Sequence, residues 1–439
     1  MSASQSAVMS HRARLLLLAL AACLMAPSSS PAPEEDLISQ FSVRLFALLA
    51  EGEQHNLAVC PLAVTSALAL LARGARGRAA AQLEAALGLG AGEAAAALGR
   101  LVADYQVPAA SHLAQLTVAP RESGRECVSA STQSSSCRQE APPSTGAILE
   151  FENRVFASGQ LELTSGFRRA LGALRAGVDS VDSVDSVDSA FDLWVAEATH
   201  GRIRHPSAQE PGLTHGLVLG SAVFFESSWE QAFPRGSTTL RAFNSSSGET
   251  AQVAMVCGSR RLPFVELSGL RARAVRIPFK DKRFSLALVV PEESGNLPEL
   301  ISRLRHVHVE KIMSQESLKM VQVEMPRLEI SSYHNFKKTL MKMKLGELFE
   351  KPDLSGVSKQ PVRVTAVLQK VLIDINESAG DAAAVAGVQM KRETVSRSSE
   401  APDETITANR PFVAMVLDEK WRTPLFMAAV NNPAVVPEY

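Results

Sequence analysis

"NESAGDAAAVAGVQMKRETVSRSSEAPDETITANRPF", residues 376–412, is the stretch on which the reading of this chain turns. As a helix it is poor, because Gly380 and Gly387 bracket its alanines. As a strand it is weak, because alanine and glycine are depleted in strands. Residues two apart in a strand share a face. One face then carries Gly380, Ala382, Ala384, Ala386, Val388 and Met390, and the other Asp381, Ala383, Val385, Gly387, Gln389 and Lys391. The first face stays uncharged until Arg392. Such patterning fits a half-buried strand, and by itself it fits a flexible Ala-rich loop equally well. The polar tether from Glu393 to Arg410 would let the segment stay in solvent.

The rest of the chain can support a large core: 439 residues, 46% hydrophobic and 21% charged. A formal net charge of -1 leaves no basic footprint for nucleic acid. At the N-terminus, Arg12 and Arg14 precede an apolar run over residues 15–25, then small residues, then acids. This predicts a secretory signal peptide over residues 1–26, its core too short to span a bilayer. Its removal would take the charge from -1 to -3, with two arginines lost. No later segment approaches a membrane span, so a secreted, extracellular protein without a membrane partner is expected. Cys127 and Cys137 lie ten apart in a Ser-rich stretch and form a candidate disulfide. Cys60 and Cys257 sit among apolar residues, where a buried free thiol is the plainer reading. "NSS" at Asn244 predicts a glycan acceptor, and "NES" at Asn376 a weaker one.

Helical periodicity runs over residues 37–49, and residues 61–88 read as two helices broken around Gly74 and Gly77. Residues 119–146 are polar and rich in Ser and Pro, as in a surface insertion. The triple "VDSVDSVDS" after Val178 is low-complexity, and its repeat is too short to be structural. Strand-like runs dominate thereafter, including "GLVLGSAVFFESSW", "FSLALVVP", "VQVEMPRLEISS", "VLQKVLIDINE" and "FVAMVLDEKWRTPLFMAAV". Helices first and mostly antiparallel strands afterwards predict an α+β fold.

The sequence contains no G-x-S-x-G elbow, H-E-x-x-H, P-loop or C-x-x-C pair, so no enzyme is predicted. "RHVHVE" would align His306, His308 and Glu310 on one face of a strand, but a fourth ligand is lacking and no metal is expected.

Several motifs then recur in one order. "NRPFVAMV" with "PLFMAAVNNP" resembles the C-terminal signature of the serpins, and "VLIDINESAGDAAAVAGV" their acidic hinge and Ala-rich reactive-centre loop. "NLAVCPLAVTSALALLARGARG", "FDLWVAEATHGRI", "LVLGSAVFFESSWEQAF" and "VEMPRLEISSYHNFKKTLMKM" resemble other segments of that family, from about Asp36 to Pro433. The loop and "LQKVLIDINES" are most similar to the plasminogen-activator-inhibitor group, only weakly. The resemblance implies helices around mixed and antiparallel sheets in a serpin domain over 36–433, with an exposed loop over 377–410. It also implies a monomer that traps a serine protease as an acyl-enzyme while the loop inserts into the central sheet as a new strand.

Carried over residue by residue, Glu377 matches the hinge acid and Gly380 the first inserting residue. Ala382, Ala383, Ala384 and Ala386 match the small stretch, and Trp229 the tryptophan under the top of the sheet. Counting from the hinge places the bait at Glu393, or at Arg392 in a loop one residue shorter. The end of the uncharged face also favours Arg392. Arg392 or Lys391 would suit a trypsin-like protease pocket, whereas a merely solvated basic pair is the plainer alternative. Counting back from Pro411 lands near Glu400 and makes Arg397 a rival bait. Departures from the family pattern are Ala379 at the usual hinge glycine, Cys60 and Ala63 at expected serines, and Ser221 at an expected asparagine. They leave a non-inhibitory serpin (carrier, chaperone or precursor) as the alternative. The family also uses glycosaminoglycan cofactors. Arg73, Arg76 and Arg78 cluster, as do Lys337, Lys338, Lys342 and Lys344, but ordinary solvated faces are the plainer reading and no cofactor is expected.

Overall fold

The computed structural model describes residues 33–105, 147–158, 161–181, 184–204, 216–234, 237–292, 297–313, 317–375 and 401–434. The N-terminal half supplies helices α1 (Pro33–Leu49), α2 (Pro61–Gly74), α3 (Gly77–Leu87) and α4 (Ala91–Tyr105), with α5 (Ser165–Ala173) and α6 (Val184–Ala198) further on. Every residue of α2 is buried except Arg73. A helix apolar all round belongs inside a protein, and α2 packs against α1, α4, α5 and both sheets. Its C-terminus closes on residues 353–358, where Gly356 N–H donates to the Gly74 carbonyl at 3.0 Å. A methyl group on Gly74 would lie 2.3 Å from Val357, so no side chain fits there.

Two sheets form the body. The larger takes β1 (Leu57–Val59), β14 (Thr423–Val430), β13 (Phe412–Asp418), β8 (Phe284–Pro291), β7 (Ala272–Pro278), β6 (Thr250–Leu267), β9 (Leu318–Pro326) and β12 (Glu404–Thr407) in that order, with β5 (Thr239–Asn244) also on β6. The second is five-stranded: β10 (Leu328–Asn335), β11 (Val364–Ile375), β4 (Leu217–Glu226), β2 (Ile148–Ser158) and β3 (Gly177–Val181). The alternating run at residues 321–332 is thus two strands, β9 and β10, on different sheets. Short helices α7 (Leu297–Leu304), α8 (Glu310–Met313) and α9 (Lys337–Lys342), with 3-10 turns at Ser268–Leu270 and Gly346–Phe349, complete the described elements.

Three expectations need correction. The described residues of the "VDS" repeat are structured: Val181 ends edge strand β3 and residues from Val184 open α6, because Val181 and Val187 bury in the core under that helix. Arg305 to Val309 form a turn between α7 and α8 rather than a strand, and His308 faces Asp36 at 3.2 Å instead of a shared ligand set with His306 and Glu310. The tether is shorter than residues 393–410, since Glu404–Thr407 pair in parallel with β9.

Candidate functional site

Mostly antiparallel pairing holds, but the five-stranded sheet has a parallel seam in its middle. β11 runs parallel to β4 in register from Val364↔Leu217 to Asp374↔Glu226, whereas β10 and β2 flank the pair antiparallel. A strand antiparallel to both could separate them and bond to each, turning one slanted parallel ladder into two antiparallel ones. The chain between the end of β11 at Ile375 and the start of β12 at Glu404 is the segment quoted at the outset. Glu377, Ala379, Gly380, Ala382, Ala383, Ala384, Ala386, Lys391, Arg392, Glu393, Arg397 and Asn376 lie outside the described residues, as do the signal segment, the 119–146 insertion, Cys127 and Cys137.

β11 is buried on both faces along nearly its whole length. Val371, Ile373 and Ile375 join the main core, while Ala366, Leu368 and Leu372 pack beneath α6 against Phe191, Trp194 and Val195. Two polar residues amid this strand, Gln369 and Lys370, are both specifically engaged. The Gln369 side chain is fully buried; its Oε1 accepts from Cys60 N–H and its Nε2 donates to the Cys60 carbonyl, each at 2.9 Å. Cys60 is the N-cap of α2 and makes no side-chain cap bond, so the amide of Gln369 does that work from the sheet. Lys370 points the other way and meets Asp192 of α6 at 2.7 Å, its side chain 4% exposed. The closed seam is therefore fastened below to α2 and above to α6.

Of the residues that depart from the family pattern, Cys60, Ala63 and Ser221 sit around this point. Burial pushes the Cys60 thiol up to about 12, so it stays protonated and unreactive. Ala63 is buried in α2. Ser221 donates to Asn153 Oδ1 of β2 at 2.7 Å, so a polar contact across the seam's neighbour strand is retained. Beside it, His334 of β10 faces the Ala58 carbonyl at 2.6 Å; burial lowers its pKa, and the neutral ring donates from Nε2. Ser332 Oγ accepts from Ala58 N–H at 2.9 Å.

At the upper end of the seam Glu329, Asp374 and Glu226 form one row across β10, β11 and β4. Burial, and then Asp374, raise the pKa of Glu329. Trp229 stacks on Phe279 with centroids 4.8 Å apart and meets Phe233 edge-on; its buried Nε1 has no partner among the described residues. It lies just past β4, which ends at Glu226, short of the strand run to Trp229 that the sequence suggests.

Elsewhere, Asn244 is exposed at the end of β5, and its Oδ1 accepts from Thr250. Cys257 is a free, partly buried thiol. Arg78 pairs with Glu347 at 3.6 Å and Lys342 with Glu51 at 2.9 Å, so neither basic cluster is a uniform patch.

A five-stranded sheet with a central parallel seam, a helix across its face and a long chain from its inner strand to the other sheet define a loop-insertion architecture. The family model described as "Serpin (serine protease inhibitor)" matches residues 36–433, and the chain belongs to the serpin family of protease inhibitors. It is 24% identical to the leukocyte elastase inhibitor of Bos taurus over 90% of this chain and 98% of that protein. It is 25% identical to intracellular coagulation inhibitor 2 of Tachypleus tridentatus over 90% of each. The crystal structure of Manduca sexta serpin-12 superposes with a TM-score of 0.71 at 24% identity, covering 91% of this chain and 99% of that one. Native protease nexin-1 with heparin gives 0.72 at 20% identity, covering 92% and 100%.

Gln369, Lys370, Asp192 and Asn153 were not singled out from sequence. The signal available was the polar pair Gln369–Lys370 inside "VLQKVLI", which a strand buried on both faces tolerates only if both side chains are paired.

Proposed function

We propose that this protein is an inhibitory serpin that traps a trypsin-like serine protease, with the bait at Arg392 and Arg397 as the rival. The observation that carries the reading is the closed parallel seam between β4 and β11, continuous at Ile375 with a segment whose one face is small and uncharged as far as Met390. A strand entering the seam replaces one ladder with two over ten paired positions. At about 1 kcal/mol per backbone hydrogen bond gained, insertion releases on the order of 10 kcal/mol. That is enough to drag a covalently attached protease, and the fastenings at Gln369 and Lys370 hold the state before insertion. Trypsin-like specificity follows from a basic side chain meeting the acid of such a pocket; an elastase-type target, which the names of several relatives would suggest, fits the basic pair less well. The signal segment over 1–26 and the exposed Asn244 acceptor support a secreted, glycosylated monomer.

The test mixes purified protein with trypsin and, separately, with elastase, followed by a denaturing gel. A boiling-resistant band at the summed mass with trypsin, and release of a C-terminal peptide beginning at Glu393, is the expected result. A peptide beginning at Ser398 moves the bait to Arg397, and one beginning at Thr394 moves it to Glu393. A covalent band with elastase alone overturns the trypsin-like assignment. Cleavage with no band by either protease overturns inhibition and leaves the carrier reading.

A further inference from the structure

The segment that leaves the seam at Ile375 is pinned where it reaches the other sheet, and an exposed apolar patch lies beside that pin. β12 runs parallel to β9 from Glu404↔Val321, so the chain arrives alongside Leu318 and Met320. Asp403 fixes the point of arrival: its N–H donates to the Met320 carbonyl and its Oδ2 accepts from Met320 N–H, each at 2.8 Å. Lys319 meets Glu404 at 2.7 Å, and Arg273 Nη1 donates to the Thr405 carbonyl at 3.1 Å. The root of the segment therefore has one position on β9.

Alternation along β9 puts Leu318 and Met320 on one face, opposite Pro263 and Arg261 of β6. Leu318 is 61% exposed, and Met320 and Pro263 are half-buried. The polar groups around them are already engaged: Asp403 on Met320, Lys319 on Glu404 with its Nζ 4.8 Å from the centre of the Phe264 ring, and Arg261 within the chain. What this corner leaves for a partner is apolar. Singly scattered exposed leucines are ordinary on a protein surface. Leu318 differs in having apolar neighbours and a fixed position relative to the bait segment. Leu240 is more exposed, at 71%, but lies on β5, across β6 from β9.

The root is C-terminal to both candidate baits, so a protease seated on either turns the leaving-group side of its cleft toward it. Arg397 lies six residues before Asp403 and Arg392 eleven. Extended, those spans reach at most about 21 and 38 Å, close to the diameter of a small domain, so a protease holding the bait comes within reach of Leu318.

We infer that Leu318, with Met320 and Pro263, is an accessory contact for the attacking protease, taking an apolar side chain from the surface loop on the leaving-group side of its cleft. The contact rests on the inhibitory reading above, and it sets how tightly the protease is first held, before any acyl-enzyme forms. An apolar anchor of this kind carries a large share of the binding energy of an interface when its rim excludes water.

The experiment makes two measurements on the full-length protein: the Kd of trypsin with its active-site serine replaced by alanine, by surface plasmon resonance, and the covalent band with active trypsin. Leu318→Ser should weaken Kd about tenfold or more, the worth of burying one leucine side chain. Leu318→Glu should weaken it further, and Tm should stay unchanged because the residue is exposed. Leu318→Met should keep the parent Kd. Leu240→Glu, which alters the more exposed leucine across the sheet, should leave Kd unchanged. An unchanged Kd in Leu318→Glu, an equal loss in Leu240→Glu, or no binding by the parent overturns the inference, whether or not the covalent band forms. A missing covalent band with a Kd that still depends on Leu318 overturns the inhibitory reading alone and supports the contact.

Discussion

Gln369→Met tests whether the seam is held closed from beneath. The substitution keeps side-chain length and an apolar body, so its effect isolates the two hydrogen bonds to Cys60. The Cys60 carbonyl keeps Ala63 N–H as a donor at 3.2 Å, but the Cys60 N–H is left buried without its acceptor. Two lost bonds at about 1 kcal/mol each, with an orphaned buried donor, amount to roughly 3 kcal/mol. For a domain of about 400 residues the unfolding entropy is near 0.8 kcal/mol/K, so Tm should fall by about 4 °C. The loosened β11 should also let the loop enter its own sheet or a neighbour's more readily. Heating below Tm, followed by native gel and trypsin inhibition, should show faster loss of activity into inactive monomer or oligomer than in the parent. A Tm within 1 °C of the parent together with unchanged inactivation would refute the account of Gln369 as a fastening. A fall several times larger would mean that the fold, not the fastening, was lost.

Lys370→Met releases β11 from Asp192 of α6; the expected outcome is faster loop insertion after protease attack, read by stopped-flow fluorescence of a labelled loop, and an unchanged rate would remove α6 from the fastening. Gly220→Val places a side chain 2.9 Å from both Phe156 and Phe191, so overpacking should cost about 1–3 kcal/mol and lower Tm. His334 is half-buried and desolvation holds its pKa below 6.5, so the folded state resists a proton that the unfolded chain accepts; stability should be full above that value and fall as pH drops through it, a slope in urea midpoints that His334→Gln should flatten. Glu329 is raised by burial and by Asp374, so Glu329→Gln should raise Tm at neutral pH and lose that advantage in acid, where the parent protonates.

Local pattern was enough for much of this chain. Helical spacing over residues 61–74 predicts a helix and "VLQKVLI" a strand, and both are present, whereas the uncharged face of residues 380–390 fits an inserting strand and a flexible loop alike and lies outside the described residues. What sequence could not decide was pairing at long range. The parallel alignment of β4 with β11 joins residues about 150 positions apart, and period-two alternation is the same whether a neighbour runs parallel or antiparallel. Gln369 finds its partner at Cys60, 309 positions away, so its role is invisible to any local window. Arg73, Arg76 and Arg78 read as one basic cluster, whereas in the fold Glu347 draws Arg78 away from it. The "VDS" repeat lacked any periodic signal, yet Val181 and Val187 are ordered because the aromatic core beneath α6 offers them burial. Local chemistry thus determined which segments could be helix or strand, while the closed seam exists only because the folded chain brings distant groups within bonding distance.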